Sequence, residues 1–589
     1  MSAAEVDSGG HERDSADLAR FGYKQELKRS LGVFSSFAVA FSYISPSTGI
    51  FTLFALGLTT LGGVFIWTWP VVALGQFIVA LNFAEVSSHY PVAGSVFQWT
   101  KYLAGRSYSW FTGWMYLFAG ILTVAAVVAT LPLALIPALN GLGWHSLNAT
   151  SLHTQEAVAL ITLVVITVLN IYGVRLVALI NNTGVLFEIL GMFVFALVLM
   201  AFHNHQGFHV VTNSGGFKVQ PSSFLAAMFI SLFVIYGFDT ASTLAEETRD
   251  PRRAAPKAVL FSVVGAFVIG GVFLLGTLVA IPNLHGAITG NGGLGFGPAQ
   301  IIEANFSSGF ATLYLLVVSA AIFVCCLSIM AATIRLCFGM SRDNQLPWSG
   351  ALRRVAPGLH TPVWTCLVVA VLAAVPFLKY SGVAIIAIAA TGMIYLSYFL
   401  GNLVIMRART RGWPAVGHLS GEKSSVGHRL KSSVGRLSGE KSAVGRLSGE
   451  KGSVGRLSGE KSAAGRLSGK KSAAGRLSGK KSEVRAPFRL GRWGMLVNVL
   501  ALLYGGAMLV NFAWPRIVSN PEPNQTGGLL SFGWSFLDKI PILWTVAIGI
   551  AVIGAIYYLA AGRRRGFVPV IPPAGEVPPT AGAPAAGTR

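Results

Sequence analysis

Long, uninterrupted runs of apolar residues dominate the hydrophobic pattern of this 589-residue chain. A helix needs about 20 such residues to cross a bilayer, and no part of the chain alternates clearly enough to predict a membrane β-barrel. Backbone polar groups in lipid must bond within their own segment, so the runs predict transmembrane helices. Twelve runs qualify, and ten of them contain no charged residue. Numbered as spans 1 to 12 in chain order, they are residues 33–57, 62–82, 108–136, 157–174, 176–201, 223–245, 258–282, 309–334, 360–378, 380–406, 493–514 and 541–561.

The placement of lysine and arginine predicts the orientation of these spans. With the N-terminus inside, 41 of the 45 basic residues face the cytoplasm, and only Lys218, Lys379, Arg516 and Lys539 lie outside. Cytoplasmic loops of membrane proteins carry such an excess. We therefore expect both termini in the cytoplasm and a multi-pass protein of the plasma membrane. The Gly- and Ala-rich composition favours a bacterial inner membrane.

Composition excludes a soluble enzyme, because 53% of the residues are hydrophobic and only 12% are charged. The net charge of +22 does not predict nucleic-acid binding, since residues 407–492 alone contribute +16 of it. This segment repeats with a period near ten, as in Gly-Arg-Leu-Ser-Gly-Glu-Lys-Ser-Ala-Val at 435–444, and we expect it to be disordered. Two interpretations stay open: a tolerated repeat expansion, or contact of 417–484 with anionic inner-leaflet lipid.

The hydrophobic pattern also predicts the division of the chain. The expected parts are a cytoplasmic tail (1–32), a ten-helix core (33–406), a basic loop (407–492), two further transmembrane helices (493–561) and a disordered cytoplasmic tail (562–589).

Two spans contain residues that interrupt helices. Span 1 reads Ser-Pro-Ser-Thr-Gly over residues 45–49, and span 6 reads Tyr-Gly-Phe-Asp over residues 236–239. Proline removes a backbone donor and glycine permits unusual torsions. Spans 1 and 6 are the first members of two five-helix halves, and an odd helix number inverts the second half. Discontinuous helices in such a repeat frame a binding site, where freed amides suit a carboxylate and freed carbonyls suit an ammonium group.

Charged residues inside spans are costly and indicate function. The chain has two, Glu188 in span 5 and Asp239 in span 6. We interpret Asp239 as functional because its surroundings are also irregular. For Glu188 a protonatable coupling site and a helix-packing hydrogen bond remain equally open.

Four stretches are similar to a known family. They are Phe-Gly-Tyr-Lys-Gln-Glu-Leu-Lys-Arg at 21–29, Ala-Glu-Val-Ser-Ser-His-Tyr-Pro-Val-Ala-Gly-Ser-Val-Phe-Gln-Trp at 84–99, Tyr-Gly-Phe-Asp-Thr-Ala-Ser-Thr-Leu-Ala-Glu-Glu-Thr-Arg-Asp-Pro-Arg-Arg-Ala-Ala-Pro-Lys-Ala at 236–258, and Ser-Arg-Asp-Asn-Gln-Leu-Pro at 341–347. In these stretches the chain resembles the amino acid–polyamine–organocation superfamily of permeases, and within it the amino acid/choline transporter branch.

The resemblance implies an all-α fold with a five-plus-five inverted repeat, discontinuous helices 1 and 6, and two added C-terminal helices. It also implies transport of an amino acid or a small amine by alternating access. Glu246 and Glu247 would pair with Arg252, Arg253 or Arg342 when the inner gate is shut. The substrate site would be lined by residues of the two breaks: Ser45, Ser47, Thr48, Gly49, Tyr236, Gly237, Phe238 and Asp239.

The chain also departs from the family pattern. Many relatives carry a Gly-Ser-Gly-like signature where this chain has Ser-Pro-Ser-Thr-Gly, and Ser242 and Thr243 stand where branch members often have a histidine. The substrate therefore stays open.

Protons are the preferred coupling ion, and exchange of solutes also stays open. Span 5 has no lysine, and Glu188 is its only titratable residue. A sodium site would require adjacent hydroxyls on span 8, but Ser319 and Ser328 are not adjacent. We expect no cofactor, no metal site and no enzymatic activity. The four cysteines are expected to be reduced packing residues.

Three other functions stay open: a solute sensor that signals through the basic loop, a choline or amine cation transporter, and a scaffold without substrate. A cation transporter would use an aromatic cage. The candidates for it are Tyr43, Tyr116, Phe118, Tyr236 and Phe238.

Overall fold

A computed structural model describes most of the hydrophobic core of the chain. The described residues are 14, 18–19, 21, 29, 32–144, 147–172, 174–290, 295–359, 361–379, 382–413, 488–514 and 542–560. The chain divides into one unit of Met1–Arg411 with Pro487–Arg589 and a second of Gly412–Ala486. The predictions for the repeats at 417–484 and for the tail at 562–589 lie outside the described residues.

The helices of the first half of the core follow the predicted spans, except α4, which lies between spans 2 and 3 and was not predicted. They are α1 (Val33–Ile44), α2 (Pro46–Leu61), α3 (Thr68–His89), α4 (Ser95–Ala104), α5 (Arg106–Thr130), α6 (Pro132–Gly141), α7 (Leu152–Tyr172) and α8 (Val174–Phe202).

The second half begins with another interrupted helix and contains the longest one. Its helices are α9 (Pro221–Val234), α10 (Thr240–Thr243), α11 (Pro251–Gly265), α12 (Gly271–Val279), α13 (Leu284–Thr289), α14 (Pro298–Asn305), α15 (Ser308–Arg342), α16 (Ser349–Leu352), α17 (Val363–Ala374), α18 (Val383–Thr410), α19 (Gly494–Ala513) and α20 (Ile542–Ala560).

The regular structure of the described residues is helical, as predicted. Among the described residues, eight helical segments are long and apolar enough to cross a membrane, and the first of them, Val33–His89, contains both predicted spans 1 and 2. Spans 6, 9 and 12 correspond to shorter apolar helices at Pro221–Val234, Val363–Lys379 and Trp544–Ala560. The count of twelve spans and the inverted repeat stay predictions.

Both predicted helix breaks are confirmed. Ser45 separates α1 from α2 in a left-handed conformation with φ of 35°, and Pro46 then begins α2, where its missing amide hydrogen costs nothing. In span 6 the chain leaves helical geometry after Val234 and resumes it at Thr240. Gly237 has φ of 92°, which a side chain would disfavour.

The two breaks pack closely against one another. A Cβ atom on Gly49 would lie 2.3 Å from Cγ2 of Val234, and one on Gly237 would lie 2.0 Å from the ring of Tyr43. Both distances are far below a normal carbon contact. The glycines are therefore required here because α2 meets α9, and the chain after α9 meets α1, without room for a side chain.

A polar seam joins α3, α18 and α19. Asn402 of α18 accepts a hydrogen bond at its side-chain oxygen from Asn82 Nδ2 at 3.0 Å, and at its carbonyl oxygen from Asn498 Nδ2 at 3.1 Å. Such side-chain bonds hold helices together where lipid gives no hydrophobic driving force.

The seam ends in a buried ion pair that fixes both edges of the basic loop. Arg409, near the end of α18, pairs with Glu85 of α3, and the same carboxylate accepts the Leu490 amide at 2.9 Å. Ser88 Oγ donates to the Phe488 carbonyl at 3.1 Å. The chain therefore leaves and re-enters the core at one place, beside the end of α3.

We predict that Gly49→Ala destabilises the protein by about 1–3 kcal/mol, because the added methyl group overlaps Val234. Val234→Ala removes Cγ2 and should recover part of the loss in the double variant. The measurement is the thermal unfolding of purified protein in detergent. Gly309→Ala is the matched control, since no atom lies within 4 Å of its Cβ position. Equal unfolding temperatures for Gly49→Ala and wild type would contradict the close approach.

Candidate functional site

The break between α1 and α2 surrounds a buried carboxylate. Glu188 of α8 is 2% exposed. Its Oε1 atom accepts hydrogen bonds from Ser45 Oγ at 2.7 Å and from Ser47 Oγ at 2.6 Å. Ser45 Oγ also lies 2.7 Å from Thr48 Oγ1. The structure thus brings together Glu188 and three hydroxyls of the first break.

The N-terminus of α2 adds an electrostatic field at the first break that favours negative charge. Its first amides lie at the positive end of the helix dipole, where Ser45 accepts the Thr48 amide at Oγ, at 3.5 Å, and the Gly49 amide at its carbonyl oxygen, at 3.2 Å. On the other side of the break, the Tyr43 carbonyl accepts a weak bond from Cys325 Sγ of α15 at 3.6 Å. The break therefore offers both donors and acceptors within a buried space.

The break in span 6 holds the second buried carboxylate, Asp239, whose side chain is fully buried. Oδ1 accepts a hydrogen bond from the Tyr398 hydroxyl. Oδ2 accepts one from the Tyr116 hydroxyl and one from Ser95 Oγ, the latter at 2.5 Å. The Tyr398 hydroxyl also accepts the Gly237 amide at 2.9 Å. Both oxygens of Asp239 are thus occupied by protein hydroxyls.

Aromatic rings close the space around the breaks. Tyr43 and Tyr236 meet edge to face with centroids 6.3 Å apart, and Phe238 lies 5.3 Å from Tyr398. Phe118, proposed from the sequence as a cage member, does not belong to this group. It packs on Trp114, whose indole donates to a carbonyl of α20, so Phe118 lies on another face of α5.

Two acids follow α10 and pair with arginines of α15. Arg342 holds Glu246 with two bonds, Nη2 to Oε1 at 2.8 Å and Nη1 to Oε2 at 3.1 Å. Arg335 Nε donates to Glu247 Oε1 at 2.6 Å. Both acids are buried and both arginines are about 13% exposed at the side chain. These two pairs, called the inner clasp below, join the end of α10 to α15.

The clasp differs in part from the sequence-based expectation. Arg342 is a partner as expected, but Glu247 pairs with Arg335 instead of with a residue of α11. Arg253 pairs with Asp250 at an exposed position, and Arg252 lies partly exposed in the first turn of α11. Arg335 follows predicted span 8 directly and lies two helical turns before Arg342, a spacing that places both on one face.

Further polar contacts surround the clasp. Lys101 of α4 and Asp343 form a fully buried pair at 2.8 Å. Burial lowers the pKa of Lys101, and Asp343 beside it opposes that shift. Arg29, four residues before α1, donates to the carbonyls of Ala245 and Thr248 at 3.3 and 2.7 Å and so caps the end of the Glu246–Glu247 turn.

Two further features concern the cysteines and the grouping of possible metal ligands. The four cysteines are buried and free of disulfides. Within the part of the chain that the structure describes, no three His, Cys, Asp or Glu side chains are grouped to hold a metal ion.

The described geometry has two facing helix breaks, two buried acids and a paired ionic clasp. A model of the amino acid permease family matches residues 31–415, which contain all of these features. The chain belongs to this family. The protein is therefore a permease, a polytopic membrane transporter rather than an enzyme.

Individual relatives are similar at low identity. Amino-acid permease BAT1 of Arabidopsis thaliana is 27% identical over 57% of this chain and 70% of its own. Branched-chain amino acid permease BcaP of Bacillus subtilis is 28% identical over 58% of this chain and 72% of its own. The crystal structure of MhsT in complex with L-phenylalanine aligns with 62% of this chain and 88% of that chain, at 13% identity and a TM-score of 0.44.

We predict that Glu246→Gln loosens the inner clasp, because Arg342 then loses its charged partner. A cysteine at Thr243, a buried position of α10, reports the opening. Its alkylation by a membrane-impermeant reagent should accelerate by a factor on the order of ten, the usual effect of losing a hydrogen bond to a charged group. The native cysteines are buried, so protein without Thr243→Cys is the blank.

The control for this prediction is Asp250→Asn, which breaks the exposed pair with Arg253 at a nearby position. Exposed pairs contribute little, so the alkylation rate should stay at the wild-type value. Equal rates for Glu246→Gln and Asp250→Asn would contradict the role of the clasp.

Proposed function

We propose that this permease moves an amino acid or a related small amine across the plasma membrane by alternating access, with protons as the coupling ion. The observation that carries the proposal is the meeting of two helix breaks in a buried core of a permease. The names of the relatives, an amino-acid permease and a branched-chain amino acid permease, support an amino acid as substrate.

Main-chain groups at the breaks suit an α-amino acid. The N-terminus of α2 lies at the positive end of the helix dipole, and such ends bind a carboxylate. Ser45 accepts the Thr48 amide at Oγ, at 3.5 Å, and the Gly49 amide at its carbonyl oxygen, at 3.2 Å, so a substrate carboxylate would compete with Ser45 for these donors. The chain between α9 and α10 leaves carbonyls outside a helix, and these suit an ammonium group. The residues proposed to line the substrate are thus 45, 47–49 and 236–239. The carboxylate of Asp239 lines the site while it is held by protein hydroxyls.

The inner clasp supplies the closed end of an alternating-access cycle. Glu246 and Glu247 are buried and each has a charged partner, so α10 is held against α15. Opening exchanges these bonds for bonds to water, a change that a bound substrate can favour only through a difference in affinity between the two states. With the predicted orientation, the clasp closes the cytoplasmic side.

Glu188 is the proposed proton site. In the described residues it faces the hydroxyls of Ser45 and Ser47, with no lysine or arginine as partner. An ionised carboxylate only accepts hydrogen bonds, whereas the protonated form also donates one. Both serine hydroxyls donate to Oε1, so a proton bound at Oε1 would require at least one of them to turn, and this would link the proton to the geometry of the first break.

The same orientation places both termini and residues 417–484 in the cytoplasm. The excess positive charge of these repeats favours contact with anionic inner-leaflet lipid, where each basic residue near the surface adds about 1 kcal/mol.

Uptake into proteoliposomes tests the function. Labelled amino acids, γ-aminobutyrate and choline are offered under an inward proton gradient, an inward sodium gradient, or neither. We expect accumulation of one or a few amino acids under the proton gradient alone. Accumulation under sodium alone would refute proton coupling, accumulation of choline alone would refute the amino acid substrate, and no flux of any probe would refute the transport of these solutes.

For Glu188 we predict a separation of exchange from accumulation. Glu188→Gln keeps the size and some hydrogen bonds of the side chain but cannot release a proton. Counterflow of labelled against unlabelled substrate should continue, while gradient-driven accumulation should fall to the level without a gradient. Glu156→Gln, at a partly exposed position of α7, is the control and should accumulate substrate normally. Undiminished proton-driven accumulation in Glu188→Gln would refute the assignment.

A further inference from the structure

Three hydroxyls hold Asp239 from three different helices. Ser95 belongs to α4, Tyr116 to α5 and Tyr398 to α18, and all three side chains are buried. These helices pack on one another and form one wall of the site. Tyr108 Oη of α5 also donates to the Leu400 carbonyl of α18 at 2.9 Å, so the wall has bonds of its own. The donors therefore come from a single assembly and not from scattered neighbours.

The segment that carries Asp239 packs mainly on helices outside this wall. Asp239 directly precedes α10, which packs chiefly on α1 and α11 and also touches α15 and the wall helix α4. Glu246 and Glu247 lie three and four residues after the end of α10. Hydroxyls thus hold this segment at its beginning, and the arginines of the inner clasp hold it at its end.

The hydrogen bonds to the Asp239 carboxylate indicate that the protein's own hydroxyls occupy it in this structure. Two oxygens accept three O–H bonds, which satisfies an ionised carboxylate without a basic side chain. The Tyr398 hydroxyl receives the Gly237 amide as well, so it stabilises the irregular backbone of the break. A substrate group would have to displace one of these hydroxyls to reach the carboxylate.

We propose that Ser95, Tyr116 and Tyr398 are positioning residues that fasten Asp239 to the wall and thereby hold α10 in the closed position. We call this set the hydroxyl latch. The latch sets the equilibrium between the closed and open forms of the permease. It affects substrate binding only indirectly, through the position of the break in span 6. The proposal rests on the alternating-access function above and adds a second fastening point to the inner clasp.

The test uses Tyr116→Phe and Tyr398→Phe in full-length protein that carries Thr243→Cys. Each variant removes one hydroxyl and retains the ring, so packing is conserved. Alkylation of the cysteine from the cytoplasmic side should accelerate by a factor on the order of ten in each, and further in the double variant. Asp239→Asn should have at least as large an effect, because an amide accepts these bonds less strongly than a charged carboxylate.

Tyr108→Phe is the matched control. Its hydroxyl bridges the same two helices, α5 and α18, but bonds a backbone carbonyl and not Asp239. Its alkylation rate should equal that of the parent. Thermal unfolding of every variant is measured in parallel, because a merely structural role would lower the unfolding temperature without selectively exposing position 243.

Transport measurements separate a positioning role from direct recognition. If the latch acts on the conformational equilibrium, Tyr116→Phe and Tyr398→Phe change the uptake of all accepted substrates by a common factor. A change in the order of substrate preference would instead show direct contact with the substrate and would overturn the proposal.

The alkylation result does not depend on flux, so its failure is distinguishable from failure of the proposed function. Accelerated alkylation without uptake of any probe would support the latch and refute the transport of those solutes. Parent-like alkylation in the Tyr116→Phe/Tyr398→Phe double variant, or equal acceleration in Tyr108→Phe, would overturn the latch.

Discussion

The structure depends on the need to satisfy backbone polar groups where two helices break inside the apolar core. A buried amide or carbonyl without a partner costs free energy comparable to a lost hydrogen bond, and no water is available in lipid to replace it. At the first break Ser45 takes a left-handed conformation, donates its amide to Phe41 at 2.8 Å, and presents its side chain to Glu188. At the second break Gly237 donates its amide to a tyrosine hydroxyl of α18. Side chains from other helices thus complete both breaks.

The same requirement explains the two buried acids. Glu188 and Asp239 are held by hydroxyl donors, which stabilise a charge without neutralising it. A guanidinium partner would hold these acids in one state. Hydroxyls can turn and can be exchanged, which is what the proposed roles of these two acids require.

Near the inner clasp, the buried acids are held by basic side chains instead of hydroxyls. There Glu246, Glu247, Glu85 and Asp343 each have a lysine or arginine partner. The clasp arginines are partly exposed at the side chain, so water can solvate both partners when these two pairs open, whereas the pair of Lys101 and Asp343 is fully buried. Within the described residues, the acids at the two breaks are therefore held by uncharged donors and the acids near the clasp by basic side chains. The pair of Glu85 and Arg409 has a different use, since it joins the chain on both sides of the basic loop to α3.

The sequence alone determined the class of the protein, the approximate positions of its helices and both breaks. These features are local: a run of apolar residues must become a helix in lipid, and Pro46 and Gly237 act on the backbone at their own positions. The two intramembrane acids and the pairing of Glu246 with Arg342 were also readable, the latter from a family resemblance. Tertiary structure decided which side chains meet. Ser95, Tyr398 and Arg335 carry no distinguishing signal, because serines and tyrosines are common in such helices and an arginine beside a predicted span resembles any other loop charge. Their contacts with Asp239 and Glu247 join residues 88 to 159 positions apart, and only the packing of α4, α5, α15 and α18 brings them together.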